Sequence, residues 1–80
     1  MSLTIEEIEQ LVAVQLGLGR VKKSDRIVED LGAESADIVN LIAAVEDRYK
    51  IVIDEEEIPA ICSVDDLFTL VDRKAARLGS

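Results

Sequence analysis

Apolar residues recur at helical spacing in three separate stretches of this chain, and that repetition constrains the fold more than any other feature. Ile5, Ile8, Leu11, Val12 and Leu16 form the first stripe, and Ile38, Leu41, Ile42, Val45 and Tyr49 the second. Val64, Leu67, Phe68, Val71, Ala75 and Leu78 form the third. A helix with one apolar face must bury it, so the three stripes are expected to face one another. Tyr49 and Phe68 are the only aromatic residues, which leaves the packing to Leu, Ile, Val and Ala. No alternating pattern extends beyond Ile51-Val52-Ile53, too short a run to build a sheet. The spacing therefore predicts an all-α fold: an up-and-down bundle of three longer helices plus one short helix, forming a single domain over residues 1–80.

Start and stop signals fix the boundaries. Thr4 with Glu7 three residues on makes a capping box, Leu3 is placed to staple onto Ile8, and Gly17 is a natural stop. Ser35 is the expected N-cap of the second helix, with Asp37 in its first turn and Lys50 ending the pattern. Asp54 and the three glutamates after it suit a short helical turn that Pro59 limits. Ser63 with Asp66 opens the last helix, and Arg73, Lys74 and Arg77 suit its C-terminal end. Between Leu18 and Glu34 no period holds. A loop this long in a small domain is usually functional, and Val21, Ile27, Val28 and Leu31 are the residues expected to tie it to the core.

Charge and residue types exclude several function classes. Seventeen acids against nine bases give a formal charge of −8, a field that repels nucleic acid and anionic membrane surfaces and favours basic protein patches. No apolar run approaches membrane-spanning length, and the N-terminus lacks a basic stretch followed by an apolar block, so a cytoplasmic location without membrane insertion is expected. There is no histidine, and Cys62 is alone, so neither an internal disulfide nor a histidine-activated nucleophile can form. Cys62 itself is expected to pack back onto Leu67 as a buried residue. The Asp54 to Glu57 cluster lacks the spaced ligands and central glycine of a calcium loop, and no metal is expected.

The long loop ends in Val28-Glu29-Asp30-Leu31-Gly32-Ala33-Glu34-Ser35, with a helix starting at the serine. In this the chain resembles the acyl carrier proteins. The similarity extends through Glu46-Asp47 late in the second helix, the acidic short helix, and the Ser63-Val64-Asp65-Asp66-Leu67 opening of the last one. The resemblance implies an acyl-carrier-like bundle in which Ser35 bears 4′-phosphopantetheine from coenzyme A as a phosphodiester. The arm's thiol would hold acyl groups as thioesters for fatty-acid, polyketide or other lipid biosynthetic enzymes. It further implies a monomeric non-enzyme whose partners are a phosphopantetheinyl transferase, bringing coenzyme A, magnesium and the general base, and acyl-processing enzymes with basic docking patches.

The docking face so implied comprises Glu34, Ala36, Asp37, Val39, Asn40, Ala43, Glu46 and Asp47, and the acyl chain would lie among Leu41, Val45, Ile53, Ile58 and Val64. The face departs from the family pattern at several places. Glu34-Ser35-Ala36 stands where Asp-Ser-Leu is usual, Ala43 is smaller than the common apolar residue, and Asn40 lacks a frequent charge. These departures point to a specialised carrier. Two other readings remain open from the residues: an acidic helical interaction module in which Ser35 is an unmodified cap, or a peptidyl or D-alanyl carrier. The five interior positions are equally consistent with ordinary core.

Overall fold

The computed structural model describes the backbone of residues 3–79 and the side chains of residues 3–76. It contains α1 (Ile5–Leu16), α2 (Ser35–Tyr49), a 3-10 helix (Glu55–Ala60) and α3 (Val64–Gly79). Among the described residues the one strand-like feature is an isolated antiparallel bridge between Arg26 and Ser63. The all-α expectation holds, with the short helix in the tighter 3-10 form around Pro59.

Local chemistry sets each start. Thr4 Oγ1 accepts from the Glu7 N–H at 3.3 Å and Glu7 Oε2 accepts from the Thr4 N–H at 3.1 Å. Gly17 closes α1 in the left-handed region at φ 69°, where a side chain would be strained. At the head of α3, Ser63 Oγ accepts from the Asp66 N–H, and Asp66 Oδ2 accepts from both the Ser63 and Cys62 N–H groups at 3.0 Å.

Those backbone donors, Ser63 first, hold the Asp66 carboxyl below its usual range. An acid lowered on folding adds stability that is complete above its unfolded value, about 3.9, and fades as pH falls through the folded value. The melting-temperature gap between the wild-type protein and Asp66→Asn is therefore expected to be widest near neutrality and to shrink as the pH falls below about 3.9. A gap that stayed constant across that range would refute the assignment. Glu57 behaves alike: the Lys74 ammonium at 2.8 Å and the Asp54 N–H lower its carboxyl, joining the 3-10 helix to α3.

One core cluster draws on every element except the short helix, which packs against it through the half-buried Ile58. Ile8 and Val12 come from α1, Leu41 and Val45 from α2, and Val64, Leu67 and Val71 from α3, all nearly or fully excluded from water. Leu70 is also buried although it lies outside the third sequence stripe, and Leu78 falls outside the described side chains. In the extended segment after α2, Ile51 and Ile53 point inward and Val52 outward.

The long loop is ordered by its own hydrogen bonds. Val21 and Ile27 are buried and Leu31 is half-buried, as expected of anchors, but Val28 is 57% exposed. Cys62 is exposed as well, not packed on Leu67. Ile27 and Val28 begin a hydrogen-bonded turn, closed by the Gly32 N–H on the Val28 carbonyl and the Ala33 N–H on the Ile27 carbonyl, in which Ile27 faces the core and Val28 faces solvent. The two segments are joined where the Cys62 carbonyl accepts from the Ile27 N–H at 2.9 Å. The same pairing fixes the backbone that carries Cys62.

Candidate functional site

The segment before α2 is a fixed platform. The Asp30 and Leu31 N–H groups donate to the Arg26 carbonyl at 2.8 and 3.0 Å, Gly32 to Val28 at 3.1 Å, and Ala33 to Ile27 at 3.1 Å. Asp30 Oδ2 accepts from the Arg26 N–H at 2.8 Å, and the Arg26 guanidinium meets Glu29 at 2.6 Å. Gly32 sits at φ 72°, with open space where a Cβ would be, so the glycine is required by the backbone conformation and not by crowding. Ala33 is buried, a contact that the aperiodic loop sequence did not reveal.

Ser35 is not the N-cap. Glu34 occupies that position in extended geometry, and Asp37 Oδ2 accepts from the Glu34 N–H at 2.9 Å. Ser35 is thus the first helical residue, and the first helical hydrogen bond runs from the Ile38 N–H to the Glu34 carbonyl. The Ser35 and Ala36 N–H groups lie outside the helical ladder, at the positive end of α2. The serine faces solvent. The residues present therefore fit a phosphate ester on Ser35: free donors, a favourable dipole end and no wall to obstruct the arm.

Nothing here activates the hydroxyl. The sequence has no histidine, Asp30 and Asp37 have their carboxylates bound to backbone N–H groups, and no group of three or more metal-ligating side chains occurs among the described residues. Serine is a weak nucleophile without an adjacent base, so the site is suited to accept a group delivered by another protein.

Of the other sequence-derived positions, Glu34, Ala36, Val39, Asn40, Ala43 and Asp47 are exposed along α2 or at its head. Asp37 and Glu46 are half-buried and already committed: Asp37 caps the helix, and Glu46 Oε2 accepts from the Ile53 N–H at 2.8 Å. Glu46 thereby holds the extended segment against α2. Leu41, Val45, Ile53 and Val64 are buried and Ile58 is half-buried, all packed in or against the one core. The groove between the 3-10 helix and α3, lined by Glu57, Ile61, Thr69 and Leu70 among others, includes none of the five.

Residues 6–71 match the family model described as "Phosphopantetheine attachment site". An acyl carrier protein from Wolinella succinogenes is 36% identical over 69 residues, 84% of this chain and 91% of the relative. One from Campylobacter jejuni subsp. doylei is 32% identical over 71 residues, 86% of this chain and 92% of the relative. Among solved structures, an acyl carrier protein from Thermotoga maritima superimposes with TM-score 0.77 at 29% identity, covering 92% of this chain and 88% of its own. A chain of the ishigamide ketosynthase/chain length factor structure gives TM-score 0.72 at 26% identity, covering 90% and 93%.

Fold, site geometry and these matches define a carrier of a covalently attached prosthetic group. The chain belongs to the phosphopantetheine attachment family and, within it, to the acyl carrier proteins. It holds acyl groups as thioesters on 4′-phosphopantetheine, passes them to acyl-processing enzymes of fatty-acid, polyketide or other lipid biosynthesis, and is not itself an enzyme. The interaction-module and peptidyl or D-alanyl readings are not favoured by these matches. No described helix is long and apolar enough to cross a membrane.

Proposed function

We propose that Ser35 bears the phosphopantetheine arm and that the protein serves a dedicated set of enzymes. The observation that carries the first part is the helix start: capping falls to Glu34 and Asp37, which leaves the Ser35 hydroxyl exposed and free for modification. Coenzyme A, magnesium and the general base come from a phosphopantetheinyl transferase, and Ser35 contributes only its oxygen. Incubation with such a transferase and coenzyme A is expected to add about 340 Da to the intact mass, and Ser35→Ala to abolish the gain. A wild-type chain that stays unmodified with several transferases, or a modified Ser35→Ala chain, would overturn the assignment.

Docking falls to Glu34, Ala36, Val39, Asn40, Ala43 and Asp47, whose exposed acids suit a basic rim on the partner. Asp37 and Glu46 support that face from within, one at the helix head and one near its end. Leu41, Val45, Ile53, Ile58 and Val64 receive the acyl chain in this reading, with half-buried Ile58 marking its way in and the packed core opening to admit it. One domain over residues 1–80 accords with the single core and with a Cα radius of gyration of 11.6 Å. The reading is completed by a cytoplasmic monomer with no affinity for nucleic acid, in keeping with its charge of −8.

A further inference from the structure

We propose that Val28, in the loop ahead of α2, is a second apolar docking contact, covered by an apolar side chain of the enzyme acting on Ser35. The inference rests on the reading of Ser35 as the modified residue. Val28 is 57% exposed, yet it sits in no slack segment. Its own carbonyl accepts from Gly32, and its neighbour Ile27 is buried and bonded to both Cys62 and Ala33. The side chain is therefore presented at a fixed place, and binding it requires little further ordering of the loop.

Position brings the contact within reach. An enzyme forming a bond at Ser35 must approach to bonding distance, and a standard interface covers about 800 Å² per partner, a disc of about 16 Å radius. Val39, one helical turn along α2, lies about 6 Å away along the axis. Val28 is bonded to Gly32 across one turn of about 6 Å, and the three residues from Gly32 to Ser35 add at most about 10 Å, so Val28 lies within about 16 Å of Ser35. Both valines fall under that footprint. Val52, 71% exposed, lies past the far end of α2, about 21 Å along the helix.

The chemistry around Val28 differs from that along α2. Arg26 pairs with Glu29 and lies 3.7 Å from Asp30, so one cation offsets one of the two carboxylates beside Val28. The exposed acids Glu34 and Asp47 belong to the α2 face. The complementary partner is thus a protein surface with a basic rim facing α2 and an apolar side chain facing Val28.

The test is steady-state modification by one phosphopantetheinyl transferase with coenzyme A, read by intact mass. Val28→Ser is expected to raise KM for the carrier about three- to tenfold, with kcat and melting temperature unchanged, while Val52→Ser stays within twofold of wild type. A Val28→Ser KM within twofold of wild type overturns the proposal, as does an equal shift for Val52→Ser or a fall in melting temperature that accompanies the loss. Failure of the underlying reading is distinct: wild type would then gain no mass, or Ser35→Ala would, and the docking proposal would fall with it.

Discussion

A general fatty-acid ketosynthase is expected to use the acylated protein about five- to 150-fold less efficiently than a carrier with leucine after its attachment serine, the equivalent of about 1–3 kcal/mol of lost aliphatic burial. Ala36→Leu is expected to recover most of that deficit. Ala36 is exposed in the first turn of α2, one residue beyond Ser35, so a leucine there projects into solvent and leaves the core untouched. Val39 remains as the one large apolar side chain on that face, while Ala43 and Asn40 add little apolar area. The measurement is kcat/KM for acyl transfer with wild type, Ala36→Leu and the enzyme's own carrier side by side. Wild type matching the enzyme's own carrier, or Ala36→Leu bringing no gain, would remove the case for a dedicated enzyme set.

The largest effect on stability is expected from the first turn of α3. Leu67 is fully excluded from water in the one core cluster, and Leu67→Ala removes packing that no neighbour is free to replace. The expected cost is about 3 kcal/mol, against a total of about 4–12 kcal/mol for a domain of this size. Thermal unfolding followed by far-ultraviolet circular dichroism should show a fall of about 12–24 °C. Val39→Ala, at a position 65% exposed, should stay within about 0.5 kcal/mol of wild type. A Leu67→Ala protein melting with wild type would mean that α3 is not packed as described.

Sequence reasoning succeeded where the governing interactions are local. Thr4 with Glu7 and Ser63 with Asp66 each couple two residues three apart, and such spacings are visible in a string of letters; Asp54 with Glu57 adds a third such pair that the acidic run concealed. The same rule would have placed the cap of α2 correctly, since Asp37 stands three residues after Glu34. Residue type misled instead, because serine is a favoured cap and glutamate is not. Val28 and Cys62 lie outside any periodic segment, so spacing carries no signal of which way they face, and the fold leaves both exposed. Glu46 reads as a solvated surface acid, and only the fold brings the Ile53 N–H to it. Which exposed residues of α2 meet a partner is not encoded in periodicity at all, since helical spacing separates inside from outside and says nothing further about the outside.

The division of labour at the head of α2 has a consequence for how the protein is used over time. Because Glu34 and Asp37 secure the helix, Ser35, the proposed attachment residue, is structurally idle, and loading or stripping it would leave the scaffold's hydrogen bonds as they were. The molecule behaves as a tool holder whose fitting can be exchanged without rebuilding the handle. Under the proposed assignment, a chain with alanine in place of Ser35 would keep its docking face but have nothing to load, which would make it a decoy able to occupy the enzymes that its working counterpart serves.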